Sequence, residues 1–129
     1  MFCSRALITL LAFGVYAASA HAVPVEKRDF FPGNPAELPC AIRVVFESSA
    51  TGPDYAVWNE IRTYLSTTKD VQRAEAFGWR MEGEFILCLQ VEEAEALPRV
   101  FTDIKALIPA TPNGTSGPTT ATLGAARRR

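Results

Sequence analysis

The stretch FGWRMEGEFILCLQV, residues 77–91, decides the fold. It holds two runs suited to strands, separated by a glycine-containing break at Glu82-Gly83-Glu84. The first run begins upstream, in VQRAEAFGWRM, with Val71, Arg73, Glu75, Phe77 and Trp79 on one side and the smaller Gln72, Ala74, Ala76 and Gly78 on the other. The second, EFILCLQVE, is almost continuously apolar, as a central strand is when both of its faces are covered. Gly83 supplies the permissive backbone a tight reversal needs, so the pair reads as a β-hairpin.

Working outward, CAIRVVFESS places Ile42, Val44 and Phe46 on one face and Arg43, Val45 and Glu47 on the other, which predicts a half-buried strand. ATGPD ends it, and Pro53 with Asp54 suits a helix start. Trp58, Ile61 and Leu65, flanked by Val57 and Tyr64, give an amphipathic helix over 53–67. After the hairpin, Leu97, Phe101, Ile104 and Ile108 recur at helical spacing. Pro98 confines that helix to a start near Ala96 or Leu97, and Pro109 ends it. TTATL, residues 119–123, has the composition of a short edge strand.

The order β-α-β-β-α(-β) predicts an α+β fold, a small two-layer sandwich of ferredoxin-like type, with an antiparallel sheet and two helices on one face. It occupies residues 40–109, with a flexible tail over 110–129. Residues 23–39 contain the breakers Pro32, Gly33 and Pro35 and read as an extended N-terminal arm whose Phe30-Phe31 rings pack back onto the domain.

The chain opens MFCSRALITLLAFGVYAASAHA, with Arg5 before an apolar run and overlapping A-x-A sites ending at Ala20 and Ala22. This is the layout of a secretory signal peptide, and the run is well short of the roughly 20 residues a bilayer span needs. Removing residues 1–22 from 129 leaves 107, enough for one small domain. The destination is the periplasm in a bacterium and the extracellular space otherwise, and no later run could span a membrane.

Of three cysteines, Cys3 leaves with the leader, and Cys40 and Cys88 form an even pair in an oxidising compartment, which predicts a disulfide. A thiolate metal site lacks ligands, because the only histidine, His21, lies at the leader boundary. Two placements of the bridge are open. If Cys40 and Cys88 share the face of Ile42, then Phe85, Leu87 and Leu89 form an apolar face needing a cover: the arm, a second subunit or a ligand. If Cys40, directly after Pro39, lies outside the regular strand, Phe85, Leu87 and Leu89 are ordinary core.

Several chemistries are disfavoured. Arg5 leaves with the leader, so 12 Lys and Arg remain against 14 Asp and Glu, and three of those positives are Arg127, Arg128 and Arg129. A mildly acidic body argues against nucleic acid as partner. Without a histidine in the mature chain the commonest general base is missing. No glycine-rich phosphate loop is present, so no cofactor is expected. Glu82 with Glu84, and the cluster Glu92, Glu93 and Glu95, are the carboxylates left for acid/base work. The first pair is expected to be solvated at the hairpin tip, and the cluster is explained by a helix dipole, so no catalytic residue is assigned.

Trp79 and Arg80 belong to the residue types enriched in binding hot spots. With Glu82, Glu84, Phe85, Leu87 and Leu89 they form the candidate interaction surface, for a protein partner or for self-association through the sheet. Lys27-Arg28 would be a dibasic processing site, and Asn113-Gly114-Thr115 a glycosylation acceptor, only in a eukaryotic host.

Over residues 41–108, AIRVVFESS and EAEALPRVF resemble the first strand and second helix of the subtilisin-propeptide and proteinase-inhibitor group. That resemblance implies a βαββαβ sandwich and an inhibitory or chaperone role. The group uses an extended C-terminal segment to fill the protease cleft, whereas this tail is rich in Gly and Thr and ends in Arg. The leading reading is an exported, disulfide-stapled, non-catalytic binding protein, with the inhibitor reading second.

Overall fold

The computed structural model describes residues 23–49, 51–112 and 116–124. The leader with Cys3 and His21, the Asn113 sequon and the Arg127–Arg129 triplet lie outside the described residues. The fold is α+β: strands β1 (Val25–Arg28), β2 (Ile42–Phe46), β3 (Val71–Gly78), β4 (Phe85–Val91) and β5 (Thr119–Leu123), with helices α1 (Tyr55–Thr67) and α2 (Leu97–Ala106).

The strands form one sheet in the order β1-β3-β4-β2-β5. It is mixed rather than antiparallel as expected, because β1 pairs parallel with β3, Val25 opposite Ala74 and Arg28 opposite Phe77. The other pairings are antiparallel, with Ile42 opposite Leu89 and Phe46 opposite both Phe85 and Thr119. The N-terminal segment, expected to be an extended arm outside the sheet, therefore begins with a strand of it. The strand's backbone pairs with β3 and Val25 packs against the core, while Arg28 Nε donates to Glu75 Oε2 at 2.6 Å and Arg28 also pairs with Glu26 at 2.9 Å. The Glu75 carboxylate raises the Arg28 pKa above its ordinary value.

Both helices pack on the face carrying Ile42, Val44 and Phe46, where Val57, Ile61, Leu65, Val100 and Ile104 close the larger core. Asp54 is the N-cap of α1, its Oδ1 accepting from the Val57 amide at 3.2 Å, so the helix starts two residues after Pro53. The buried stripe is Val57, Ile61 and Leu65, which leaves Trp58 half-buried on the flank. In α2 the buried pair is Val100 and Ile104, with Leu97, Phe101 and Ile108 packed around them. The hydroxyl of Tyr64 in α1 donates to Asp103 Oδ2 in α2 at 3.1 Å, and burial raises its pKa.

An irregularity between Val71 and Arg73 shifts the β3 register, so Val71 and Ala74 both enter the helix-side core although they are an odd number of residues apart.

The opposite face carries a second cluster: Leu38, Cys40, Val45, Trp79, Ile86 and Cys88, with Phe31 and Phe77 against it. Here the two placements of the bridge are resolved. Cys40 precedes β2 and joins Cys88 with Cα atoms 5.2 Å apart, while Leu87 and Leu89 point to the helix side and are ordinary core. The arm covers the bridge. Arg43, only 7% exposed, reaches back from β2 and donates to the carbonyls of Leu38 at 2.7 Å and Ala36 at 3.2 Å. Burial lowers its pKa. Trp79 Nε1 donates to the Gly33 carbonyl at 3.3 Å, and Phe31 meets Phe77 edge-on. Phe30, expected to pack beside Phe31, is instead exposed.

Candidate functional site

The arithmetic of layers locates the site. Strands lie about 4.8 Å apart and a helix is about 10 Å across, so each helix covers about two strands. Two helices therefore cover about four strands, and this sheet has five. With α2 toward β5, the uncovered part is the β1 edge, beyond α1.

A trough of about 700 Å³ opens there. Its floor lies low because β3 contributes the small Ala76 and Gly78, with Phe77 between them packing against the cluster on the opposite face. One wall is a stripe of α1, Trp58, Arg62 and Ser66, spaced four residues apart and adjacent to the buried stripe. The other is β1, with Val25 and Lys27, together with Val23 just before it. Phe85 closes one end by stacking on Phe46 at 4.3 Å and meeting Trp58 edge-on at 5.2 Å.

Exposed apolar side chains gather at that same end. Tyr55, 54% exposed, brings its hydroxyl to 3.7 Å from where a side chain at Gly83 would begin, and Phe30, equally exposed, lies 3.8 Å from the corresponding point at Gly78. Met81, in the intervening hairpin loop, is 93% exposed.

The polar groups are few. Lys27 and Arg62 reach the trough from opposite walls, and among the described residues neither forms an ion pair with a carboxylate. The Arg62 guanidinium lies 5.9 Å from the Trp58 ring centroid. Glu84 also borders the trough, with Oε2 3.7 Å from Arg80 Nε.

The surface expected from sequence is divided by this arrangement. Leu87 and Leu89 are fully buried beneath the helices and offer no surface, a correction that follows from strand parity. Trp79 is buried on the opposite face, its indole holding the arm and Arg80 lying 4.0 Å over its ring. Glu84, expected to be solvated at the tip, is only 7% exposed, whereas Glu82 is exposed as expected. Phe85 alone of these apolar residues reaches the trough. Sequence reading missed Lys27, Trp58 and Arg62 as site residues. The signal available was the second α1 stripe, Trp58-Arg62-Ser66, beside the core stripe.

Among the described residues no three His, Cys, Asp or Glu side chains come together to hold a metal ion, and no helix is long and apolar enough to cross a membrane. Comparison with protein-family models, with curated proteins and with solved structures found no match.

Proposed function

We propose that the chain is an exported, disulfide-stapled, non-catalytic binding module that takes a protein partner in the trough beside α1. In this reading strands β2 to β5 with the two helices are a ferredoxin-like unit, and β1 is an addition that widens the sheet past its helical cover. The carrying observation is the exposure of Phe30 and Tyr55 beside Gly78 and Gly83, at one end of an apolar trough whose walls hold Trp58 and Phe85. Large apolar side chains left in water at one place mark an interaction site more often than an accident of packing.

Export to the periplasm or the extracellular space is supported by the leader and by the bridge between Cys40 and Cys88. A non-catalytic role is supported by the chemistry at hand. The two hairpin carboxylates diverge, Glu84 buried beside Arg80 and Glu82 in solvent, and do not converge as an acid/base pair must.

Site-specific photo-cross-linking in the producing cells tests the reading. A photoreactive residue at Tyr55 is expected to give a discrete adduct with a second protein, and one at the exposed Thr102 of α2 none. Equal yields from both positions, or no adduct from either, would count against it. The inhibitor reading rests on the same element order. Inhibition of a subtilisin-class protease near one-to-one stoichiometry would favour it, and none at large excess would remove it.

A further inference from the structure

Taking the binding role above as its premise, we infer that the occupant of the trough is an amphipathic helix of another protein, whose apolar face carries a carboxylate that meets Lys27 and Arg62. The shape of the vacancy points to a helix. The sheet face beside α1 is the position a third helix would occupy in a complete layer, and helices pack at about 8–10 Å between axes. The floor residues Ala76 and Gly78 are small, leaving room for side chains inserted from above. An amphipathic helix laid in an apolar groove is a recurrent mode of recognition.

Charge argues for the acid. Lys27 stands opposite Ala76 in the β1–β3 register, and Arg62 lies one turn beyond Trp58 on the facing wall. The two cations thus sit partway along the trough, with Val25 to one side and Gly78 and Phe85 to the other. A purely apolar helix would cover both without partners, at the cost of desolvating them. A carboxylate on the buried face would accept hydrogen bonds from both, and the planar guanidinium suits it best.

Charge also speaks against residues 1–22 and 125–129 as the occupant. Residues 1–22 enter the domain at Val23, which lines the trough, yet they contain no Asp or Glu, and neither do residues 125–129. A partner supplies the acid.

The test is a displayed library of random 15-residue peptides, selected on the mature disulfide-bonded protein. Enriched peptides are expected to be net acidic, with apolar residues at i, i+3, i+4 and i+7. Their Kd should rise at least tenfold in Lys27→Glu/Arg62→Glu and stay within twofold in Lys69→Glu/Lys105→Glu. All four side chains are exposed, so urea midpoints matching the parent establish that the variants fold. Basic or neutral winners, or acidic winners indifferent to the Lys27/Arg62 reversal, overturn the inference while leaving a binding module. No enrichment of any sequence overturns both. A protein that sediments as a dimer, and becomes monomeric on the Lys27/Arg62 reversal, assigns the trough to a second copy and overturns the partner helix.

Discussion

Replacing both bridge cysteines, Cys40→Ala with Cys88→Ala, removes the staple without leaving a free thiol. The bridge spans 48 residues of sequence, and cross-linking a loop of that length restricts the unfolded chain by about 4 kcal/mol in the chain-entropy treatment. Both cysteines are buried under the arm, so the variant also loses a small amount of packing, in the same direction. A domain of this size is typically stable by about 5–15 kcal/mol, and the variant should still fold, with a melting temperature lower by about 15–25 °C. Urea unfolding followed by tryptophan emission reads the change, since Trp58 reports the helix face and Trp79 the arm face. Coincident transitions from the two would justify two-state treatment. A loss under about 1 kcal/mol would refute the reasoning, because it would mean the bridge constrains an unfolded chain that is already compact.

Three further outcomes are expected. A side chain at Gly124 would overlap the Cys40 carbonyl oxygen, so Gly124→Ala should push β5 off β2 and cost about 1–3 kcal/mol, with exposed Thr120→Ala near neutral; an unchanged urea midpoint would contradict this close approach. Arg43→Met removes the charged donor shared by the Leu38 and Ala36 carbonyls, leaving Leu38 only the Cys40 amide, at about 1–3 kcal/mol, and should speed amide exchange selectively around the arm's anchored turn at 35–38; exchange that stays slow there would sink the anchoring role. Burial favours the neutral Tyr64 phenol, so its contribution is complete below the ordinary tyrosine pKa of about 10 and is lost as pH rises through the higher folded-state value. Urea midpoints at pH 9 and 11 should fall further in the parent than in Tyr64→Phe, and parallel falls would refute it.

Much of the fold was legible because alternation is local. Ile42, Val44 and Phe46 announce their common face, and the continuous apolar run from Phe85 to Leu89 announces a strand covered on both sides. The pairing of Cys40 with Cys88 followed from the export expected of the leader and from the even number of cysteines left after it. What stayed hidden depends on distant partners. β1 has four residues, three of them charged, and is set by distant partners: its backbone pairs with β3, Val25 packs against the core and Arg28 meets Glu75 across 47 residues of sequence. The β3 irregularity reverses the parity of Val71 relative to Arg73, which no alternation count registers. The trough was illegible for a related reason. It is an absence of cover created by β1, and Trp58, placed by its spacing in the core stripe, stands at the edge of that absence.

The central claim is that the trough beside α1 binds a partner, and the chain's two tryptophans provide the most direct measurement. Their indole N–H resonances sit on opposite faces of the sheet: Trp58 in the trough wall, Trp79 bonded to Gly33 beneath the arm. On titration with an acidic amphipathic peptide selected by the protein, the Trp58 indole signal should shift to saturation while the Trp79 signal holds its position. Movement of Trp79 with Trp58 stationary, or of neither at saturating peptide, would contradict the account.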